Sequence, residues 1–228
     1  MPEPFQSLLA AIVEDDRDRV NALLEQDAAL VTATAPAARY ESKIAHWIYA
    51  GDTALHVAAA GYRVEIATML LSAGADCSSA KNHRRSQPLH YAADGYLESD
   101  AWDAKRQVRT IELLLKSGSD IHARDKNGAT PLHRAVRTRC AAAVACLLSA
   151  GSDATLKNKP GSTPFHLAVQ NTGRGGSGAE KAKAAQREII QAFLERGISP
   201  SLKDEKGKSI LAWAKSDWIR QILADNVV

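Results

Sequence analysis

Thr130-Pro-Leu-His133, followed by Arg134-Ala-Val136 and then by Leu147-Leu148 and Gly151, is the stretch on which the fold turns, because it recurs. Its other copies open with Thr53-Ala-Leu-His56, Gln87-Pro-Leu-His90 and Thr163-Pro-Phe-His166. Each continues into small residues, Val57-Ala-Ala59, Tyr91-Ala-Ala93 and Leu167-Ala-Val169. Each closes on a pair of large apolar residues, two further residues and a glycine: Leu70-Leu71 with Gly74, Leu114-Leu115 with Gly118, Phe193-Leu194 with Gly197. The His-to-Gly intervals are 18, 28, 18 and 31 residues, and the Gly-to-next-motif intervals are 15 or 16. The unit is therefore 33 or 34 residues long, and two units carry insertions of about 10 and 13 residues between histidine and glycine.

Each part of the unit has a physical reason. A threonine before proline starts a helix, because the hydroxyl caps free amides and the fixed φ of proline suits the first turn. The alanines admit a neighbouring helix. The apolar pair lies on the buried stripe of a second helix, and the glycine takes the left-handed conformation that ends it. Asp125-Lys-Asn-Gly128 and Lys157-Asn-Lys-Pro-Gly161 carry turn chemistry. The unit reads as helix, turn, helix and a projecting hairpin-like loop.

The pattern resembles the ankyrin repeat, whose motif reads G-x-T-P-L-H-x-A-A followed by L-L-x-x-G-A-D. Gly74-Ala-Asp76 stands intact, and Gly118-Ser-Asp120 and Gly151-Ser-Asp153 are near versions. The resemblance runs over essentially the whole chain and implies one all-α solenoid of about six units. Residues 4–36 form an N-terminal capping repeat with Leu8-Leu-Ala-Ala11 and Leu23-Leu24. Residues 51–85, 86–127, 128–160 and 161–206 are full repeats, and 207–225 a C-terminal capping repeat. End repeats show one face to water, so both depart from the motif. The resemblance also implies a hydrogen-bonding, structural role for the recurring histidine and a partner-dependent position directly after it, facing the concave groove.

Composition agrees with a helical repeat. The chain has 228 residues, 45% hydrophobic but only 5% aromatic. Three cysteines with no C-x-x-C pair favour a reducing compartment over a disulfide framework. No basic leader and no span of about 18 apolar residues is present, so a cytoplasmic protein without a membrane segment is expected. The net charge of +3 does not by itself point to nucleic acid.

Several constellations invite a chemical reading. His56, His90, His133 and His166 cannot share a metal: equivalent positions in stacked repeats lie about 10 Å apart, whereas a zinc ligand stands about 2 Å from its ion. Gly173-Arg-Gly-Gly-Ser-Gly178 formally matches G-x-G-x-x-G, but it follows a helix instead of a strand and reads as a linker. The following Ala179–Gln186 stretch is helix-prone and extends the second helix of its repeat. No serine-hydrolase or zinc-protease motif occurs, and Cys140 and Cys146 sit in an alanine-rich helix. The expectation is a non-enzymatic protein with no cofactor and no metal.

The loops and aromatics carry the functional reading. Residues 81–87 hold a net +3, 123–129 a net +1, 157–161 a net +2 and 203–208 a net +1, together more than the charge of the whole chain. In a stack these tips form one basic edge, suited to an acidic protein partner. Tyr91 and Arg134 follow motif histidines; Tyr62 and Tyr96 follow glycines that end first helices; Trp102 lies in the first insertion and Trp47 in an enlarged first loop. With Arg84, Arg85 and Arg137 these are the candidate partner contacts, since tyrosine, tryptophan and arginine dominate interface energetics. The competing view is that the aromatics pin the inserted loops. The two insertions fall at the same point of their repeats and should wall a groove from one side. The chain is read as a monomeric scaffold or adaptor for another protein. Nucleic-acid binding through the loop tips, and a small-ligand site or enzyme in the walled groove, are the alternatives. Against nucleic acid, Asp125, Asp204 and Glu205 interrupt the basic run.

Overall fold

The Thr-Pro-Leu-His motif opens a helix in each of the four units that carry it in the computed structural model, which describes residues 3–171 and 179–226. Among the described residues six helix pairs follow one another. They are α1 (Pro4–Glu14) with α2 (Arg17–Gln26), α3 (Ala54–Ala60) with α4 (Val64–Ser72), α5 (Pro88–Ala93) with α6 (Ala104–Lys116), α7 (Pro131–Arg137) with α8 (Ala141–Ser149), α9 (Pro164–Ala168) with α10 (Glu180–Glu195), and α11 (Ile210–Trp213) with α12 (Asp217–Ala224). The first helices pack on one another in sequence as an inner layer, and α2, α4, α6, α8 and α10 as an outer one. Leu8, Leu55, Leu89, Leu132 and Phe165 from the inner layer and Leu70, Leu114, Leu147 and Phe193 from the outer one are buried in a continuous core. Gly74, Gly118, Gly151 and Gly197 each end an outer helix at a φ between 72° and 94°, which is why glycine recurs there.

The motif histidine joins consecutive repeats. The Nδ1 of His56, His90 and His133 accepts the backbone N–H of the residue before its helix, at 3.1, 3.1 and 3.2 Å. The Nε2 lies 2.9–3.1 Å from a carbonyl of the next repeat's loop, Ser86, Ala129, Ser162 or Lys208 for the four in turn. A carbonyl only accepts, so Nε2 carries the proton and the ring is neutral. Burial pushes all four pKa values down, those of His90 and His133 to about 4. The loops also bond tip to tip: Lys126 N–H donates to Arg84 O, Lys159 N–H to Asn127 O and Glu205 N–H to Gly161 O.

Two segments depart from the repeat. The enlarged first loop is a β-hairpin, β1 (Arg39–Glu41) against β2 (His46–Ile48), closed by a 3-10 turn at Ser42–Ile44. Ile44 and Ile48 point into the core, and Ile44 seats on the bare Cα of Gly61 at the end of α3. The first insertion, 95–103, leaves α5 at Asp94 in extended conformation and re-enters at α6, capped by Asp103. The second insertion contributes the first turns of α10, as expected for 179–186. The glycine run 173–178 lies outside the described residues. The two insertions meet across the α7–α8 repeat, where Lys181 Nζ donates to Leu97 O at 2.7 Å.

Candidate partner-binding site

Gln107 explains how a repeat tolerates the first insertion. In α3 and α7 the last carbonyls are satisfied by a three-residue turn: Arg63 N–H bonds Ala58 O and Cys140 N–H bonds Ala135 O, both with a residue at positive φ, Tyr62 or Arg139. The insertion after α5 removes that turn. The buried Gln107 amide from α6 replaces it, donating to Ala92, Ala93 and Asp94 carbonyls at 3.0–3.3 Å. The second inserted repeat does the same with Gln186, which bonds Ala168 and Gln170 carbonyls.

Freed from the turn, the 95–103 segment leans over the groove toward the hairpin. Between them lies a cleft of about 190 Å³. It gathers Trp47, Tyr62, Arg84, Tyr96, Trp102, Arg134 and Arg137 of the expected contacts; Tyr91 and Arg85 are not among its lining residues. The three large hydrophobic side chains exposed among the described residues are Tyr40, Trp47 and Tyr96, at 51, 48 and 57%. All three belong to the hairpin or the first insertion. Tyr40 and Trp47 are cross-strand partners with ring centroids 5.7 Å apart, and Trp47 stacks on Tyr49 at 6.3 Å. The row continues through Tyr49 to His83 and to the Arg84 guanidinium, 5.0 Å above the Tyr49 ring.

The floor of the cleft is ionic. Arg134 is 3% exposed and bonds Asp94 at 2.8 Å, Asp125 at 2.9 Å and Ser86 Oγ at 3.0 Å. Burial alone would lower its pKa, but the two carboxylates outweigh that and raise it. Burial would likewise raise Asp94, yet Arg134, the His46 imidazole 3.8 Å away and Arg137 hold it well below the ordinary range. Asp52, fully buried, accepts from the Tyr91 hydroxyl at 2.8 and 2.9 Å, from Asn82 at 2.8 Å and from Tyr49 N–H at 2.6 Å, which fastens the hairpin to the groove.

These placements correct part of the sequence reading. Tyr62, Tyr91 and Arg134 are at most 4% exposed and offer no contact surface: Tyr62 and Arg134 form the floor, and Tyr91 lies beneath it on Asp52. Tyr62 donates its hydroxyl to Asp94 O, and burial raises its pKa well above normal. Trp102 is half-buried: its Nε1 donates to Gln107 at 3.0 Å and its indole lies against Gly95, where a Cβ would collide with Cys140 Sγ. It therefore pins the insertion. Trp47, Tyr96, Arg85 and Arg137 are exposed and Arg84 partly so. Among the acids of the loop tips, Asp125 and Asp204 are buried, each accepting backbone N–H groups of its own turn. The basic edge is thus less interrupted than its sequence suggests. Asp52, Asp94 and Gln107 were not expected. Asp94 had a signal, because the same register elsewhere holds Ala60, Arg137 and Gln170.

Among the described residues no group of three or more His, Cys, Asp or Glu is arranged for a metal, and no helix is long and apolar enough to cross a membrane. Comparison with known proteins places the scaffold. A family model described as ankyrin repeats (3 copies) matches residues 101–204, and the ankyrin repeat model matches 50–83. The exposed aromatics and Arg84 lie outside both stretches. Among curated proteins, alpha-latrotoxin-Lhe1a of Latrodectus hesperus is 36% identical and alpha-latrotoxin-Lt1a of Latrodectus tredecimguttatus 35% identical, each over 88 residues. That is 38% of this chain and 6% of either toxin, so the match spans a small part of those proteins. A crystal structure of an ankyrin repeat domain from Acinetobacter baumannii AYE shares the fold, with a TM-score of 0.68, 23% identity and 96% of each chain covered. Repeats, capping histidines and family matches agree, and the chain belongs to the ankyrin-repeat family.

Proposed function

We propose that the chain is a non-enzymatic adaptor that binds another, acidic protein through the face built by the hairpin, the first insertion and the basic loop tips. The observation that carries this reading is the confinement of the three exposed large hydrophobic side chains, Tyr40, Trp47 and Tyr96, to the two segments that rim one cleft. Exposed aromatics beside cations, on a scaffold rigid enough to lose little entropy on docking, are what an interface hot spot needs. The catalytic reading gains no support from the cleft. His46 stands beside Asp94, but its Nδ1 hydrogen lies on Trp47 O at 2.7 Å, and no hydroxyl or thiol among the described residues bonds its ring. The Cys140 thiol is buried, which raises its pKa. Three free thiols fit a cytoplasmic setting, which belongs to the same proposal.

The test uses the full chain carrying a photo-crosslinking residue at position 96 or, on the outer helix, at position 109. In host lysate, one protein should crosslink from 96 and not from 109. Replacing Trp47 and Tyr96 by alanine should weaken its binding at least tenfold, with stability within about 0.5 kcal/mol of wild type at each position because both side chains are half-exposed. Unchanged binding by the alanine variant, or crosslinking from 109 alone, would refute this face. A steeply salt-dependent adduct with nucleic acid would favour the loop-tip alternative.

A further inference from the structure

We infer that the cleft between the hairpin and the first insertion receives one carboxylate side chain of the partner, an Asp or Glu, between the guanidinium groups of Arg84 and Arg137. The inference rests on the reading above that this face binds a protein. Its ground is a charge imbalance inside a formed cavity. Three guanidinium groups line the cleft, Arg84, Arg134 and Arg137, with the imidazole of His46 beside them and one carboxylate, Asp94. Arg134 is committed to Asp94 and, behind it, to Asp125.

The other two cations lack such partners. Among the described residues Arg84 has no carboxylate within 4.0 Å; its Nη1 donates to the Tyr49 hydroxyl at 2.7 Å. Arg137 reaches no closer than 3.8 Å to Asp94 Oδ1 and makes no hydrogen bond to it. Asp94 and Asp125 both pair with Arg134, and the buried Asp52 is held by Tyr91, Asn82 and the Tyr49 N–H. The cleft and its surroundings therefore carry no more than a single net positive charge, and Arg84 and Arg137 are the guanidinium groups left without a hydrogen-bonded carboxylate. A carboxylate neutralises that charge. A phosphoryl group, carrying roughly −1.5 to −2 at neutral pH, overfills it and faces Asp94 as well. The walls strengthen the pairing, since Ile44, Trp47 and Tyr49 border the cleft and displace water from one side of the cations. Trp47 and Tyr96 stand at the rim, where residues flanking the partner's acid would pack.

The experiment selects displayed random 12-residue peptides on the full chain, with counter-selection on the Trp47→Ala/Tyr96→Ala variant. The tightest peptide is then measured by fluorescence anisotropy with its acidic residue intact, changed to glutamine, or replaced by phosphoserine. All three are titrated against wild type and against Arg84→Gln/Arg137→Gln, which leaves the Arg134 pairs with Asp94 and Asp125 in place and is checked for folding by circular dichroism. The selected peptides should hold an acid at one fixed position. The glutamine change should cost wild type about tenfold in Kd, as for a charged hydrogen bond, and the double variant less than twofold. Equal losses on both proteins, no fixed acid, or tighter binding of the phosphoserine peptide would overturn the inference. Peptides that still depend on Trp47 and Tyr96 would then leave the binding face standing. Failure to select any such peptide would remove the face and the inference together.

Discussion

The α7–α8 repeat and the α5–α6 repeat carry the same Pro-Leu-His motif and close their inner helices in opposite ways. After α7, Thr138, Arg139 and Cys140 make a tight turn, and the chain's own amides satisfy the helix end. After α5, Asp94 is extended, the chain leaves for 95–103, and a side chain from the outer helix takes over the carbonyls. The first solution closes the groove on itself. The second frees a segment to overhang it while the core stays intact, and it leaves Asp94 at the cleft floor. Variation in a repeat protein is admissible where the backbone groups it strips can be satisfied from a neighbouring layer.

Arg134 ties the two repeats together, and removing it should have the largest effect. Its side chain bridges Asp94 at the end of α5 and Asp125 in the following loop. Arg134→Met would leave Asp125 buried without its counter-charge and Asp94 with only the more distant His46 and Arg137, and the loss should be about 3–5 kcal/mol. Urea unfolding read by circular dichroism measures it. A loss below about 1 kcal/mol would mean that water reaches the cleft floor and that the regular and inserted repeats are not coupled there.

Acid should act on what the two repeats share. Burial pushes the pKa of His90 and His133 down to about 4, against 6.5 for an exposed imidazole. The unfolded chain then binds the proton first, so stability is fully present above about pH 6.5 and falls as pH drops toward 4. The loss is on the order of 3 kcal/mol for His133 alone. Hydrogen exchange at pH 7 and pH 4.5 should show protection falling in the α5–α6 and α7–α8 repeats alike. Loss confined to one of them would show that the histidine clip is not equivalent in both.

The repeating part of the molecule was legible because its signal is redundant: four motifs, four glycines and one spacing point to the same stack. The site was legible only in outline. Tyr62 and Tyr96 occupy the same register, each after a glycine two residues beyond the small-residue run, yet one is 4% and the other 57% exposed. The difference is the extended Asp94, which turns the following chain outward. The hairpin carries no Asn-Gly or Asp-Gly turn; a 3-10 turn and Ala45 at φ 49° close it, and only Tyr40, Trp47 and Ile48 hinted at strands. Gln107 was readable in hindsight. It stands seven residues before Leu114, as Gln186 stands seven before Phe193, whereas the uninserted repeats have Arg63 and Cys140 there. The register of a repeat thus records which units have lost their turn.

That correspondence gives the smallest of the three predicted effects and the most direct test of the comparison. Gln107→Leu keeps the size of the side chain but strips the donor from three carbonyls and the acceptor from Trp102 Nε1. The cost should be about 1–3 kcal/mol, the range for leaving buried polar groups unpaired. If the glutamine is a substitute for the missing turn, its value should depend on the insertion. In a chain whose 94–103 stretch is cut back to a three-residue turn like that after α7, the same substitution should cost less than about 0.5 kcal/mol, and the cycle of four proteins should show strong coupling. Equal costs in both backgrounds would mean that Gln107 stabilises α6 for its own sake, and that the insertion is carried by Asp103, Trp102 and the contact with Lys181 instead.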